Sequence, residues 1–209
     1  MKLRLPAFAI LALTWTLQSC TTLPPLEADR AERLRLHGLK SDRLVEQDRW
    51  NLSGKLAISN DKDGGSGKLQ WRENPGYTRM DFHGTLGRGA WRLEADRSGA
   101  RLELADGSAY QDQTVDQLVQ KQVGWEIPVE SLSWWVRGMA APGGAEERWF
   151  DERGNLVRLN QDGWSIEFGK YRSFGEFEMP IRLTAMQADW KVKLVVRRWE
   201  LAPEGAPDD

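Results

Sequence analysis

A single cysteine, Cys20, and only two histidines, His37 and His83, occur among the 209 residues. One cysteine excludes an internal disulfide, so folding must rest on an ordinary apolar core. The histidines have no metal-ligand spacing, and the chain has neither a Gly-x-Ser-x-Gly elbow nor a phosphate-binding glycine loop. Gly65-Ser66-Gly67 reads as a flexible hairpin turn and Glu146-Glu147 as a solvated one. No catalytic residue, metal site or cofactor is therefore expected. Positive charge is not in excess, since 29 basic side chains face 31 acidic ones, and nothing points to nucleic acid. Beyond the first twenty residues the richest apolar runs, near Val129 to Met139 and Leu194 to Trp199, are short and broken by charge. A membrane-spanning helix needs about 20 apolar residues. Internal repeats and low-complexity tracts are also missing.

What is present begins with Lys2 and Arg4, the apolar run from Ala7 to Leu13, and Leu17-Gln18-Ser19-Cys20. A charged start, an apolar middle and a small residue before the cut describe an export signal, over residues 1–19. Leu17-x-Ser19-Cys20 resembles the lipobox of bacterial lipoproteins, in which the cysteine takes a diacylglycerol, cleavage precedes it and the new terminus is acylated. Cys20 is then the lipidated first residue, residues 20–26 with Pro24-Pro25 a tether, and residues 203–209 a disordered tail. In that class Asp after the cysteine tends to mean retention at the inner membrane; Thr21 here favours the outer one. Loss of the signal leaves 27 basic against 31 acidic residues, a net charge of −4, and ten of the eleven tryptophans.

Hydrophobic periodicity divides the rest. From Leu26 to Arg49 a stripe of Leu34, Leu36, Leu39, Leu44 and Val45 predicts one amphipathic helix, bent at Gly38. From Trp50 the period is two: Leu52, Leu56 and Ile58, then Leu69 and Trp71, Met80 and Phe82, Trp91, Leu93 and Ala95, Leu102 and Leu104, separated by turns such as Asn74-Pro75-Gly76. Thr114 with Gln117 is a capping-box pattern opening a short helix ended by Gly124, and a second short helix runs from Val129 to Arg137. Strands resume at Arg148 to Phe150, Leu156 to Leu159, Trp164 to Phe168, Ile181 to Ala185 and Val192 to Val196.

Ten or eleven strands are more than a flat sheet sustains without curling toward a barrel. Turned inward, the apolar parity makes a concave wall of Trp71, Met80, Phe82, Trp91, Leu93, Leu102, Leu104, Trp164, Ile166, Phe168, Leu183, Val192, Leu194 and Val196. These side chains either fill the interior or line a cavity. Barrels larger than eight strands begin to enclose space, so the strand count and helical cap favour a lipid-sized pocket over a packed core.

The order of lipobox, amphipathic helix, Trp50-Asn51-Leu52-Ser53-Gly54-Lys55-Leu56-Ala57-Ile58, Gly67-Lys68-Leu69-Gln70-Trp71 and Thr85-Leu86-Gly87 resembles the LolB family. So do Ile127-Pro128-Val129-x-x-Leu132-x-x-Trp135-Val136-x-Gly138, Leu159-Asn160-Gln161-Asp162-Gly163-Trp164 with Tyr171 following, Met179-Pro180, and a closing strand ending in Trp199. The match covers Cys20 to Trp199. It implies a mainly β, α+β fold over residues 27–202: an unclosed antiparallel barrel of about eleven strands with a helical lid near 114–139, shared with the soluble periplasmic carrier LolA. It also implies a monomeric, lipid-anchored outer-membrane protein facing the periplasm. Such a protein accepts lipoproteins from a LolA-like carrier in an apolar cavity and inserts them into the outer membrane, using no nucleotide or metal. The fourteen wall residues become the acyl-chain cavity; Leu118, Val119, Leu132 and Trp135 belong to the lid. Leu86 matches an exposed leucine linked to membrane delivery, although Thr85 replaces a commoner proline and Arg88 follows. Two other readings remain: an envelope scaffold lipoprotein, and a general lipid-binding lipoprotein without insertase activity.

Overall fold

The computed structural model describes residues 25–85, 89–144 and 147–201. Helix α1 (Pro25–Val45) leads into strands β1 (Trp50–Ser59), β2 (Gly64–Asn74), β3 (Tyr77–Gly84), β4 (Trp91–Asp96), β5 (Gly99–Leu104) and β6 (Ala109–Asp112). Helices α2 (Val115–Val123) and α3 (Val129–Trp135) follow, then β7 (Glu147–Phe150), β8 (Leu156–Gln161), β9 (Trp164–Phe174), β10 (Phe177–Gln187) and β11 (Trp190–Leu201).

All eleven strands form one antiparallel sheet in the order β6-β5-β4-β3-β2-β1-β11-β10-β9-β8-β7. Neighbours in sequence pair through hairpins, and the β1–β11 ladder, from Trp50↔Leu201 to Ser59↔Lys191, joins the two halves. The sheet is not closed between its two edges, β6 and β7. The chain crosses from one edge to the other through α2 and α3, so the lid is the connection that spans the gap. Strand alternation follows the sequence closely: β1 buries Trp50, Leu52, Leu56 and Ile58 and turns Lys55 outward. All fourteen wall residues are buried in, or packed against, one continuous core that includes α2 and α3.

Gly65-Ser66-Gly67, expected as a turn, lies instead within β2, paired with Ile58, Ala57 and Leu56, and two further elements differ from the periodicity reading. The eleventh strand, β6, has no apolar alternation, and its side chains are exposed or half-buried; pairing with β5 at the sheet edge makes it a strand. Helix α1 ends at Val45 and runs unbroken through Gly38. Only part of its leucine stripe packs: Leu44 is buried and Leu36 half-buried beside Gly154, whereas Leu34, Leu39 and Val45 are about half exposed. The rest of the packed face is Arg33, His37 and Lys40. This happens because α1 lies against the β7–β8 turn, where backbone carbonyls need donors. Arg33 Nη1 donates to the Phe150 carbonyl at 3.1 Å, His37 Nδ1 lies 3.2 Å from the Gly154 carbonyl, and Lys40 Nζ donates to Asn155 Oδ1 at 2.7 Å.

Candidate functional site

At one end of the half-barrel the inward wall opens into a mouth of about 810 Å³, large enough for a sizeable apolar ligand. Its rim comes from the β1–β2 hairpin (Ser59, Gly64, Ser66), the end of β3 (Gly84, Thr85) and the start of β4 (Gly89, Ala90), and its floor includes Ile58, Phe82, Trp91, Val123 and Trp125. Behind the floor, between sheet and lid, lies a void of about 20 Å³ lined by Leu56, Ile58, Met80, Trp91, Leu93, Leu102, Val119, Val123, Trp125, Ile127, Val129 and Leu132. With no polar partner for a water molecule, this void stays dry.

Mouth and void share four residues, Ile58, Trp91, Val123 and Trp125. Three rings make most of this partition: Phe82 stacks on Trp91 at 5.2 Å, and Trp125 meets both edge-on at 6.2 and 6.0 Å. Phe82 sits there because Gly67 leaves it room; a Cβ on Gly67 would stand 2.2 Å from the His83 carbonyl and 2.7 Å from the Phe82 ring. Trp91 Nε1 is buried without an acceptor among the described residues. Trp125 is brought to the partition by the end of α2, where Gly124, at φ 73°, turns the chain in a left-handed conformation disfavoured for other residues.

The lid is tied differently at its two ends. Helix α2 begins at the end of the sheet away from the mouth, just after the Asp112↔Ala100 pair, with an N-cap at Thr114 that accepts from Gln117 N at 3.3 Å, and its last turn reaches the mouth through Gln122 and Val123. Asp116 Oδ1 accepts from Val129 N at 2.8 Å, so α2 supplies the cap that Pro128 cannot give α3. Burial pushes the Asp116 carboxyl above its ordinary range. One exposed ion pair, Lys121 to Asp112 at 2.6 Å, links α2 to β6. On the β8 side of the sheet the ties are buried and polar. Gln161, fully buried on β8, accepts from Trp135 Nε1 and Ala141 N, both at 2.9 Å, and donates to the carbonyls of Ala141 and Gly144. Arg137 lies between Trp50 and Trp134 and donates to the Leu44 carbonyl at the end of α1. Burial lowers its pKa, while Glu73 nearby favours its charge.

Of the fourteen wall residues, Phe82, Trp91 and Leu104 line the mouth, and Met80, Trp91, Leu93 and Leu102 line the void. The other eight, Trp71, Trp164, Ile166, Phe168, Leu183, Val192, Leu194 and Val196, border neither space and are packed in the core. The reason is local. Trp135 of α3 fills the β8–β9 side against Trp164, and Trp50 packs between Trp71 and Trp199. Among the lid residues, Val119 and Leu132 reach the void, whereas Leu118 and Trp135 are buried beside it. Trp125, Ile127, Gln161 and Arg137 were not singled out by periodicity; the αL glycine before Trp125 was the available signal. Cys20 and Leu86 lie outside the described residues. Among the described residues, no group of His, Cys, Asp and Glu is placed to hold a metal, and no helix is long and apolar enough to cross a membrane.

An unclosed antiparallel half-barrel with a two-helix lid over an apolar mouth defines a protein built to bind apolar ligands. Its fold matches the crystal structure of a Vibrio parahaemolyticus domain described as an outer-membrane lipoprotein-sorting protein, at a TM-score of 0.53 and 9% identity, covering 85% of this chain and 95% of that one. Residues 48–199 match the family Outer membrane lipoprotein LolB. The outer-membrane lipoprotein LolB of Pseudomonas aeruginosa is 35% identical over 202 residues, covering 95% of this chain and 97% of the relative. That of Pseudomonas fluorescens is 37% identical over 157 residues, covering 75% and 77%. The chain belongs to the LolB family of outer-membrane lipoproteins.

Proposed function

We propose that this protein takes the acyl chains of lipoproteins from a soluble LolA-like carrier of the periplasm, shelters them beneath its lid and delivers them into the outer membrane. It works as a monomer tethered through lipid on Cys20, without covalent chemistry or cofactor. The observation that carries this reading is the mouth of about 810 Å³ separated from a dry void by a few apolar side chains. An open empty chamber would lose dispersion contacts on every wall. The closed lid avoids that loss by filling the chamber with Val119, Val123, Trp125, Ile127, Val129 and Leu132. An incoming hydrocarbon chain replaces those contacts, so opening at the mouth is offset by cargo burial. Transfer between two apolar sites also spares each methylene the roughly 0.8 kcal/mol of meeting water.

Leu86 belongs to this scheme as the membrane-entering residue. Gly84, Thr85 and Gly89, the described residues flanking it in sequence, line the mouth, which supports this reading. Leu86→Glu is expected to accept cargo normally and fail to insert it.

The test is transfer of a purified lipoprotein from its carrier to the chain begun at residue 20 with Cys20→Ala. All described strands and helices fall within 25–201, so this protein retains the fold. Stoichiometric acceptance in solution is expected. Absence of acceptance, with no saturable binding of a fluorescent fatty acid, would favour a scaffold.

A further inference from the structure

The outer face of the sheet divides into two electrostatic zones. Away from the mouth most of its charges are paired: Arg79 and Arg92 both bind Asp81, at 2.9 and 2.8 Å, Arg79 also reaches Glu94, and Arg198 binds Glu200, while Arg72 beside Arg79 is exposed without an ion pair among the described residues. Nearer the mouth the ladder runs His83↔Lys68↔Lys55↔Val195↔Arg182 in one row, with Ala57↔Lys193↔Thr184 in the next and Ser59↔Lys191↔Met186 at the rim. Lys55, Lys68, Lys193 and Arg182 are exposed, and with Lys191 none of them has an ion-pair partner among the described residues. The nearest carboxylate in those rows, Glu167, is held by Arg158 at 2.9 Å. Asp61, Asp63 and Asp189 sit at the hairpin tips beyond these rows, and Asp63 and Asp106 line the mouth itself.

Folding gains nothing from this arrangement. Lys55 stands directly opposite Lys68, with Lys193 diagonal to it, and like charges in those positions are destabilising. A chain with more acidic than basic residues nevertheless concentrates unpaired cations on one patch. The patch is continuous with the mouth, since Lys191 pairs across from the rim residue Ser59, and the Lys68↔His83 pair adjoins the Gly67↔Gly84 pair that ends β3 at the rim. Four of the cations are lysines, flexible point charges suited to a diffuse anionic layer rather than the bidentate capture of one carboxylate. Val195, 44% exposed at the centre, is an apolar side chain that such a layer tolerates.

We propose that Lys55, Lys68, Lys191, Lys193 and Arg182 form a docking face for anionic phospholipid headgroups, which sets the mouth against the bilayer. The face deepens the delivery reading above, but it is tested without cargo, so either can fail alone. The chain from residue 20 with Cys20→Ala is sedimented with vesicles of phosphatidylcholine and with vesicles that also contain phosphatidylglycerol, at low and moderate salt. Binding is expected to need phosphatidylglycerol and weaken with salt. Each lysine changed to glutamine among 55, 68 and 193 is expected to cost about fivefold in affinity. Arg101→Gln, on β5 beside Glu103 at 4.0 Å in the paired zone, is expected to change little. All three lysines are exposed, and an unchanged circular dichroism spectrum confirms that the variants fold. Equal binding to both vesicles, or full binding by the triple variant, overturns the proposal. So does a triple variant that binds vesicles normally but accepts cargo poorly, which would assign the face to an acidic protein.

Discussion

The two ends of the lid teach different lessons about how a chamber can be both sealed and openable. At the hinge end, Gln161 and Arg137 hold segment 135–144 and the end of α1 with buried hydrogen bonds, each expensive to leave unmade. At the mouth end, Trp125 just after α2 rests on the apolar rings of Phe82 and Trp91. Apolar contacts are non-directional, so an acyl chain can replace Trp125 there with little loss. No acyl chain can replace the partners of Gln161. Cargo should therefore open the lid from the Trp125 side while the Trp135 side stays fixed.

Removal of the hinge should have the largest effect. Gln161→Leu leaves Trp135 Nε1, Ala141 N and two carbonyls without partners, a loss of about 4 kcal/mol given roughly 1–3 kcal/mol per orphaned group. Denaturant unfolding of the two proteins checks it, and the midpoint should fall steeply. Acid should weaken the same end through α1. Burial pushes the His37 pKa from 6.5 down to about 4, so the folded state holds the ring neutral. Its contribution is complete above pH 6.5 and is lost as pH falls toward 4, about 3 kcal/mol in all. Stability measured across that window should decline, and His37→Asn should flatten the decline.

At the mouth end the effects on stability should be smaller and the effects on binding larger. Trp125→Ala removes a half-buried ring and should cost about 1–2 kcal/mol, below the usual 3–5 for a fully buried aromatic. It should also merge mouth and void and speed uptake of a fluorescent fatty acid, read by stopped flow. If Trp125→Ala destabilised as much as Gln161→Leu and left uptake unchanged, the distinction between the two ends would fail. Lys121→Gln should leave the unfolding midpoint within error and only quicken uptake, because its ion pair is solvent-exposed.

Much of the fold could be read from period-two alternation, since every one of the fourteen inward residues is core or packed on it. Helix α2 was legible from Thr114 and Gly124, which cap its two ends as the sequence suggested. Parity, however, says which side of a sheet a residue faces and nothing about what meets it there. Ile166 and Trp91 look alike in sequence, yet one is sealed in the core and the other borders both spaces. Helix α1 shows the same limit: hydrophobicity picked Leu36 and Leu44, but the rest of its docking face is set by donors to loop carbonyls, and Leu34, Leu39 and Val45 stay exposed. Strand β6 carries no apolar signal because it is an edge. Gln161 could not be anticipated, because its importance comes from four partners separated from it in sequence.

Native-state hydrogen exchange at two lid amides tests the asymmetry most directly. Gly124 N donates to the Gln120 carbonyl at the mouth end, and Ala141 N donates to Gln161 at the hinge end. With the protein empty, Gly124 should exchange through a local opening well below the global unfolding free energy, and Ala141 only through global unfolding. Exchange of both amides at one common free energy, or of Ala141 before Gly124, would contradict a lid that opens from the mouth.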